Sequence, residues 1–247
     1  MAPELWPDDE LTRLANRYCS DKGTTYNCAH GYTRVYQALL APLREAPLRM
    51  LEIGLVHGQV QAERPQDIDQ LACPSLRMWS DYLPRAEIHG LDIVDFTRFS
   101  NERARVWQAD QGNRGELDAV AAKVGSKFDI IIDDGSHASH HQQISLAILF
   151  RHLADGGLYI VEDLHYQPAG LELPNITLTR DFLRGLPERR PGMRLALDQA
   201  DYAYLVEHVQ SIRFFDSISP RWPLAVTADA LAVIRKTGHH PVIPAGY

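Results

Sequence analysis

The apolar positions of this chain fall into seven short runs separated by longer amphipathic stretches. The runs are LRMLEIG (48–54), AEIHGLDI (86–93), ARVWQAD (104–110), KFDIIIDD (127–134), GLYIVED (157–163), VQSIRFFDS (209–217) and ALAVIRK (230–236). Each reads as a strand, and FDIII and GGLYIV read as buried ones. The intervening stretches carry helical spacing. Residues 9–19 place Leu11, Leu14, Ala15 and Tyr18 on one face, and 32–44 do the same with Val35, Leu39 and Leu43. ELDAVAAKV (116–124) is a third helix, and a fourth begins after Ser139 with Ile144, Ala147, Ile148 and Leu149 inward. Asp155-Gly156-Gly157 is expected to stop it. Strands alternating with helices predict a parallel sheet covered on both faces. The last two runs lack an intervening helix and are expected to pair antiparallel. The predicted fold class is therefore α/β: a doubly wound, mostly parallel seven-stranded sheet with an antiparallel C-terminal edge. The Pro- and Arg-rich stretch 184–194 reads as an exposed connection.

The polar residues that follow these runs change the picture from fold to chemistry. In open parallel sheets ligands bind beyond the carboxyl ends of the strands. Asp133-Asp134-Gly135-Ser136-His137 follows the fourth run, and Glu162-Asp163 ends the fifth. Carboxylates gathered at one edge repel one another and must be solvated, protonated or bridged by a cation. A hard divalent ion with oxygen ligands satisfies them; capping of helices in water is the plainer alternative. After the first run, LEIG followed by Gly58 resembles a nucleotide-binding turn, although it is not the dinucleotide G-x-G-x-x-G. Asp92 ends the second run, where a carboxylate can accept from ribose hydroxyls, and Asp110-Gln111 follows the third, placed to read an adenine edge.

Composition sets the outer bounds. The chain has 247 residues, 45% hydrophobic and 23% charged, which is ordinary for a globular protein. A net charge of −7 argues against a nucleic-acid partner. No stretch reaches the ~18 apolar residues of a membrane span, and MAPELWPDDE lacks the features of a signal peptide. Cys19, Cys28 and Cys73 form no CxxC pair. The expectation is a cytoplasmic protein with no membrane partner.

Together, SDKGTTYNCAHGY (20–32), LEIG (51–54), SLRMW (75–79), GLDI (90–93), QADQ (108–111), DDGSH (133–137) and GGLYIVEDLH (156–165) resemble a class I S-adenosylmethionine-dependent methyltransferase. More narrowly, the chain is similar to the metal-dependent O-methyltransferases that decorate sugars on macrolides and related natural products. The resemblance runs from about Ser20 to Lys236. It implies a Rossmann-like methyltransferase fold, with 1–46 forming N-terminal helices and a cofactor-covering loop and 47–247 the methyltransferase core. It implies S-adenosylmethionine and Mg²⁺ as cofactors, with Asp134, Glu162 and Asp163 as metal ligands and His137 as general base. Lys22, His30, Glu52, Gly54, Ser75, Asp92, Asp110, Gln111 and Asp133 would surround the cofactor. A small-molecule acceptor and a homo-oligomeric assembly complete the expectation.

Rival readings stay open at this point. His140, His141 and His165 compete with His137 for the role of base. His137 and His141, four apart, would bind a transition metal if they shared a helix face, giving a non-haem-iron hydroxylase. A non-methylating S-adenosylmethionine-binding scaffold or cyclase is the other alternative. Tyr26, Tyr32, Tyr166, Tyr202 and Tyr204 are candidates for an acceptor pocket or for the wet edge of the core.

Overall fold

A computed structural model describes residues 8–56 and 73–246. The loop between the first strand and SLRMW, including Gly58, lies outside the described residues.

Seven strands form one sheet: β1 (Arg49–Ile53), β2 (Glu87–Asp92), β3 (Ala104–Gln108), β4 (Phe128–Asp133), β5 (Leu153–Val161), β6 (Val209–Phe215) and β7 (Leu231–Lys236). Their order is β3-β2-β1-β4-β5-β7-β6. The first five are mutually parallel, β7 runs antiparallel to β5, and β6 runs antiparallel to β7. The sheet is therefore mixed, as the missing helix between the last two apolar runs predicts.

Alternate residues of each strand feed two separate cores. Met50, Ile88, Ile130, Ile132, Leu158 and Ile160 face helices α1 (Glu10–Tyr18), α2 (Thr33–Leu40) and α3 (Pro74–Tyr82). Leu51, Ile131, Tyr159 and Val161 face α4 (Arg114–Val124), α5 (Ser139–Leu149), α6 (Thr179–Gly185) and α7 (Gln199–His208). Local signals set the helix ends. Asp9 accepts from the Thr12 amide at the start of α1, and Asn113 accepts from the Gly115 and Glu116 amides at the start of α4. Gly125, at φ +73°, closes α4. Pro42 falls in a 3₁₀ turn, Ala41–Leu43, so α2 stops earlier than its apolar spacing suggests.

One boundary differs from the sequence expectation. The fourth predicted helix ends at Leu149, not at Asp155-Gly156-Gly157, and β5 already begins at Leu153. The register against β4 slips between the Phe128–Leu153 and Ile130–Leu158 pairs. Asp155 and Gly156 are thus an irregularity inside a strand, with Gly156 at φ +69°. A glycine doublet marks a bulge and a helix end alike, and only strand pairing separates them.

Among the described residues, no helix is long and apolar enough to cross a membrane.

Candidate active site

The parallel register brings the acidic ends of β4 and β5 side by side. Asp133 is paired with Ile53 of β1 and with Val161 of β5. The Asp134 amide then donates to Ile53 O (3.0 Å) and the Glu162 amide to Asp133 O (2.9 Å). The next residues leave the sheet sharply: His137 and Asp163 both adopt left-handed backbone, at φ 61° and 55°. Such conformations are uncommon for residues other than glycine and cluster where surrounding structure fixes a side chain for use. Gly54, at φ +86°, makes the corresponding turn after β1, so close to β4 that a Cβ would stand 2.0 Å from Asp134 O.

A cleft of about 740 Å³ opens over these strand ends. Its lining includes Lys22, His30, Gly54, Ser75, Asp134, His137 and Asp163 from the sequence-derived candidates, and Trp222 and Arg221 from beyond β6. The volume lies in the ~300–1,000 Å³ range usual for small-molecule sites. The polar segment 20–32 forms one wall. It is tied to the chain after β6 by Ser217 Oγ donating to His30 O (3.2 Å) and by the Ile218 amide donating to the same carbonyl (3.0 Å).

Two layers of charge lie beneath the cleft. In the deeper one, the fully buried Lys22 ammonium bonds Asp134, lies 3.0 Å from Glu162 and stands 3.4 Å from Glu52. Burial opposes its charge, but Asp134, Glu162 and Glu52 together hold the Lys22 pKa well above its ordinary value. Glu52 also accepts from Ser75 Oγ (2.6 Å) and Trp79 Nε1 (3.2 Å), and Tyr36 OH donates to Glu162. Burial pushes the Glu162 carboxyl up to about 7 even so. In the outer layer Asp134, His137 and Asp163 bring one ligand atom each within 4.8 Å of one another. His137 Nε2 lies 3.8 Å from Asp163 Oδ2, and Tyr32 OH donates to Asp163 Oδ1 (2.7 Å). Burial works against the Asp163 charge, yet His30, His137 and the Tyr32 hydrogen bond hold its carboxyl down at about 2.

The remaining candidates brace turns and do not line the cleft. Asp92 accepts from the Leu55 amide (2.8 Å) and the Val94 amide (2.9 Å), clamping the turns after β1 and β2. Asp110 accepts from the Gly112 amide (2.8 Å). Gln111 donates to Asp133 (2.6 Å) and accepts from the Ser136 amide (3.0 Å), so it supports the DDGSH turn from below. Asp133 is fully buried and also bonds Ser145 and Tyr159.

The rival histidines separate. His137 precedes α5 whereas His141 lies within it, with Nδ1 turned to Ser136 Oγ (2.8 Å). The two do not share a helix face, and no candidate metal group among the described residues contains both. His165 borders the cleft with His30. Sequence reading missed Tyr36, Arg221 and Trp222. Tyr36 has the spacing of a core residue, and nothing local marks its hydroxyl as a partner of Glu162. Tyr202 and Tyr204 pack on the opposite core, away from the cleft.

A hard divalent ion fits this donor set. Asp134 and Asp163 offer carboxylate oxygens on the cleft side, and the one buried ammonium behind them leaves several carboxylates to share it. The cleft also reaches over the end of β1, where Gly54, Leu55 and Ser75 line it, which leaves room there for a cofactor.

No family model matches the chain. Over 155 residues it is 39% identical to mycinamicin VI 2''-O-methyltransferase of Micromonospora griseorubida, covering 63% of this chain and 36% of that protein. It is 35% identical over 183 residues to L-olivosyl-oleandolide 3-O-methyltransferase of Streptomyces antibioticus, covering 71% of this chain and 44% of that one. Among solved structures, the MycE methyltransferase from the mycinamycin biosynthetic pathway, in complex with Mg, SAH and mycinamycin VI, superposes with a TM-score of 0.70. Identity there is 27%, over 97% of this chain and 58% of that one. The chain is a homologue of macrolide and sugar O-methyltransferases. Its fold is that of the class I S-adenosylmethionine-dependent methyltransferases. It spans less than half the length of the two curated relatives it matches here. An O-methyltransferase from Bacillus cereus in complex with SAH, at 11% identity and a TM-score of 0.52, extends the likeness at the level of fold alone.

Proposed function

We propose that this chain is an S-adenosylmethionine- and divalent-metal-dependent O-methyltransferase acting on a sugar hydroxyl of a glycosylated natural product. The observation that carries the reading is the convergence of Asp134, His137 and Asp163 on one cleft, at the ends of adjacent parallel strands. The named activities of the relatives support it, since both methylate hydroxyls of sugar-bearing molecules.

When bound, S-adenosylmethionine supplies the methyl group and a divalent ion such as Mg²⁺ makes the acceptor hydroxyl more acidic. Asp134, Glu162 and Asp163 would hold that ion, with Glu162 also bonded by Lys22 and Tyr36. His137 receives the hydroxyl proton at Nε2, where the Asp163 carboxylate 3.8 Å away stabilises the imidazolium. Tyr32 keeps Asp163 oriented through its hydrogen bond. Lys22, His30, Glu52, Gly54, Ser75, Asp92, Asp110, Gln111 and Asp133 remain the proposed cofactor surroundings, the last four acting through the turns they brace. The segment 1–46 is read as the covering part and 47–247 as the catalytic core. The cysteines among the described residues, Cys19, Cys28 and Cys73, are all free, which supports a reducing, cytoplasmic setting.

The test is calorimetric. S-adenosylmethionine should bind the chelator-treated protein, and Mg²⁺ should then bind that complex. Asp134→Asn should abolish the Mg²⁺ heat and turnover while leaving cofactor binding largely intact. Full turnover in this variant would sink the metal assignment.

A further inference from the structure

Asp163 faces two different environments with its two oxygens. Oδ2 points toward His137, on the side of Asp134. Oδ1 lies 3.5 Å from His30 Nε2 and 3.9 Å from His165 Nδ1. One ligand atom each from His30, Asp163 and His165 again falls within 4.8 Å of the others. A single carboxylate is thus flanked by Asp134 and one imidazole on one side and by two imidazoles on the other.

Hydrogen bonding fixes which nitrogen of His30 faces the carboxylate. Ser217 Oγ lies 3.1 Å from His30 Nδ1 and 3.2 Å from the His30 carbonyl oxygen, so Nδ1 is engaged on that side. Nε2 is the nitrogen left facing Asp163 Oδ1. A cation held between that nitrogen and the carboxylate oxygen would satisfy both. The ring cannot turn away easily, because it is stacked on Tyr32 (4.7 Å between centroids, 6° apart) and covered by Trp222 (6.0 Å). This is the arrangement of a metal-binding imidazole, oriented through its second nitrogen. His165 supplies an independent sign. Its side chain is 7% exposed, and Nδ1 is buried without a hydrogen-bond partner, on the side facing Asp163.

We propose that His30, Asp163 and His165 form a second metal site, taking a borderline divalent transition ion such as Zn²⁺ or Co²⁺ and sharing Asp163 with the Asp134–His137 side. Two imidazoles and one carboxylate suit such an ion far better than Mg²⁺, which prefers oxygen. Bonds of ~2.0–2.1 Å in a tetrahedral site place ligand atoms about 3.4 Å apart. The observed 3.5 and 3.9 Å need only a small contraction. All three residues line the cleft, which leaves the fourth position to solvent or to an acceptor oxygen. Sharing one carboxylate also couples the two sites, because an ion on Oδ1 withdraws charge from Oδ2.

The experiment is a Co²⁺ titration of the chelator-treated full chain, read by visible absorption and needing no methyl transfer. It therefore fails or succeeds independently of the proposed activity. The expected result is a saturable tetrahedral d–d band that excess Mg²⁺ does not remove. His165→Ala and His30→Gln should each weaken binding at least tenfold, with thermal melts confirming that both remain folded. Asp134→Asn and His137→Gln should retain the band. Absence of a band overturns the proposal, as does a band lost in His137→Gln but kept in His165→Ala.

Discussion

The ammonium of Lys22 lies 3.0 Å from each carboxylate oxygen of Glu162, although 140 positions separate the two residues in sequence. This contact joins the N-terminal segment to the end of β5 and neutralises part of the charge that three strand ends bring together. Removing one partner of a buried pair leaves the other desolvated and uncompensated. Lys22→Met should therefore lower unfolding free energy by ~3–5 kcal/mol in denaturant titrations without divalent ions. Part of that loss should return with Mg²⁺. A variant as stable as the parent would show that the carboxylates are protonated or hydrated there.

His137→Gln separates proton transfer from placement. If His137 takes the acceptor proton, kcat should fall by ~10² or more with KM little changed. A change confined to KM would make it a positioning residue.

Gly54→Ala tests the close approach between β1 and β4. The added Cβ meets Asp134 O at 2.0 Å, and φ +86° is itself strained for alanine. A loss of at least about 1–3 kcal/mol is expected from the backbone alone. Movement of Asp134 should also weaken divalent-ion binding measured by calorimetry. An unaltered protein would mean that the turn has room the structure does not show.

Lys236 gives a pH signature away from the cleft. Burial pushes its ammonium down to about 8 from the ordinary 10.5, while Nζ donates to Phe150 O and Leu153 O, both at 2.9 Å. Because the folded value is the lower one, the unfolded chain binds more protons between about pH 8 and 10.5. Stability from this group must then rise with pH across that window. The difference in unfolding free energy between the parent and Lys236→Met should shift in favour of the parent from pH 8 to pH 10. A constant difference would contradict the assignment.

The strands were legible because β1, β2, β4 and β5 are buried along most of their length and are rich in apolar residues, whereas β3, at the sheet edge, is buried only at alternate positions. Asp134, His137 and Asp163 were legible as well, since a polar cluster directly after such a run has one place to go. Less visible were partners supplied by distant segments. Tyr36 looks like any inward helix residue, and Trp222 sits in a Pro-containing connection whose approach to His30 depends on the antiparallel return. The pairing of Asp133 with Gln111 and Ser145 was also hidden, because an acidic residue after a strand reads equally as ligand or brace. Only tertiary geometry assigns it to the brace.

The insertion of β7 between β5 and β6 bears on how the molecule is made. Until residues 231–236 emerge from the ribosome, β5 is an open sheet edge, and the amide of Leu164 lacks its bond to Ala230 O (2.9 Å). The segment carrying Glu162 and Asp163 is thus anchored by the strand that comes last in chain order among the seven of the sheet. A nascent or truncated chain would present an unpaired apolar edge beside its acidic cluster, the condition under which strands recruit one another between molecules. Assembly of the site and protection of the β5 edge consequently depend on the same step, the docking of β7.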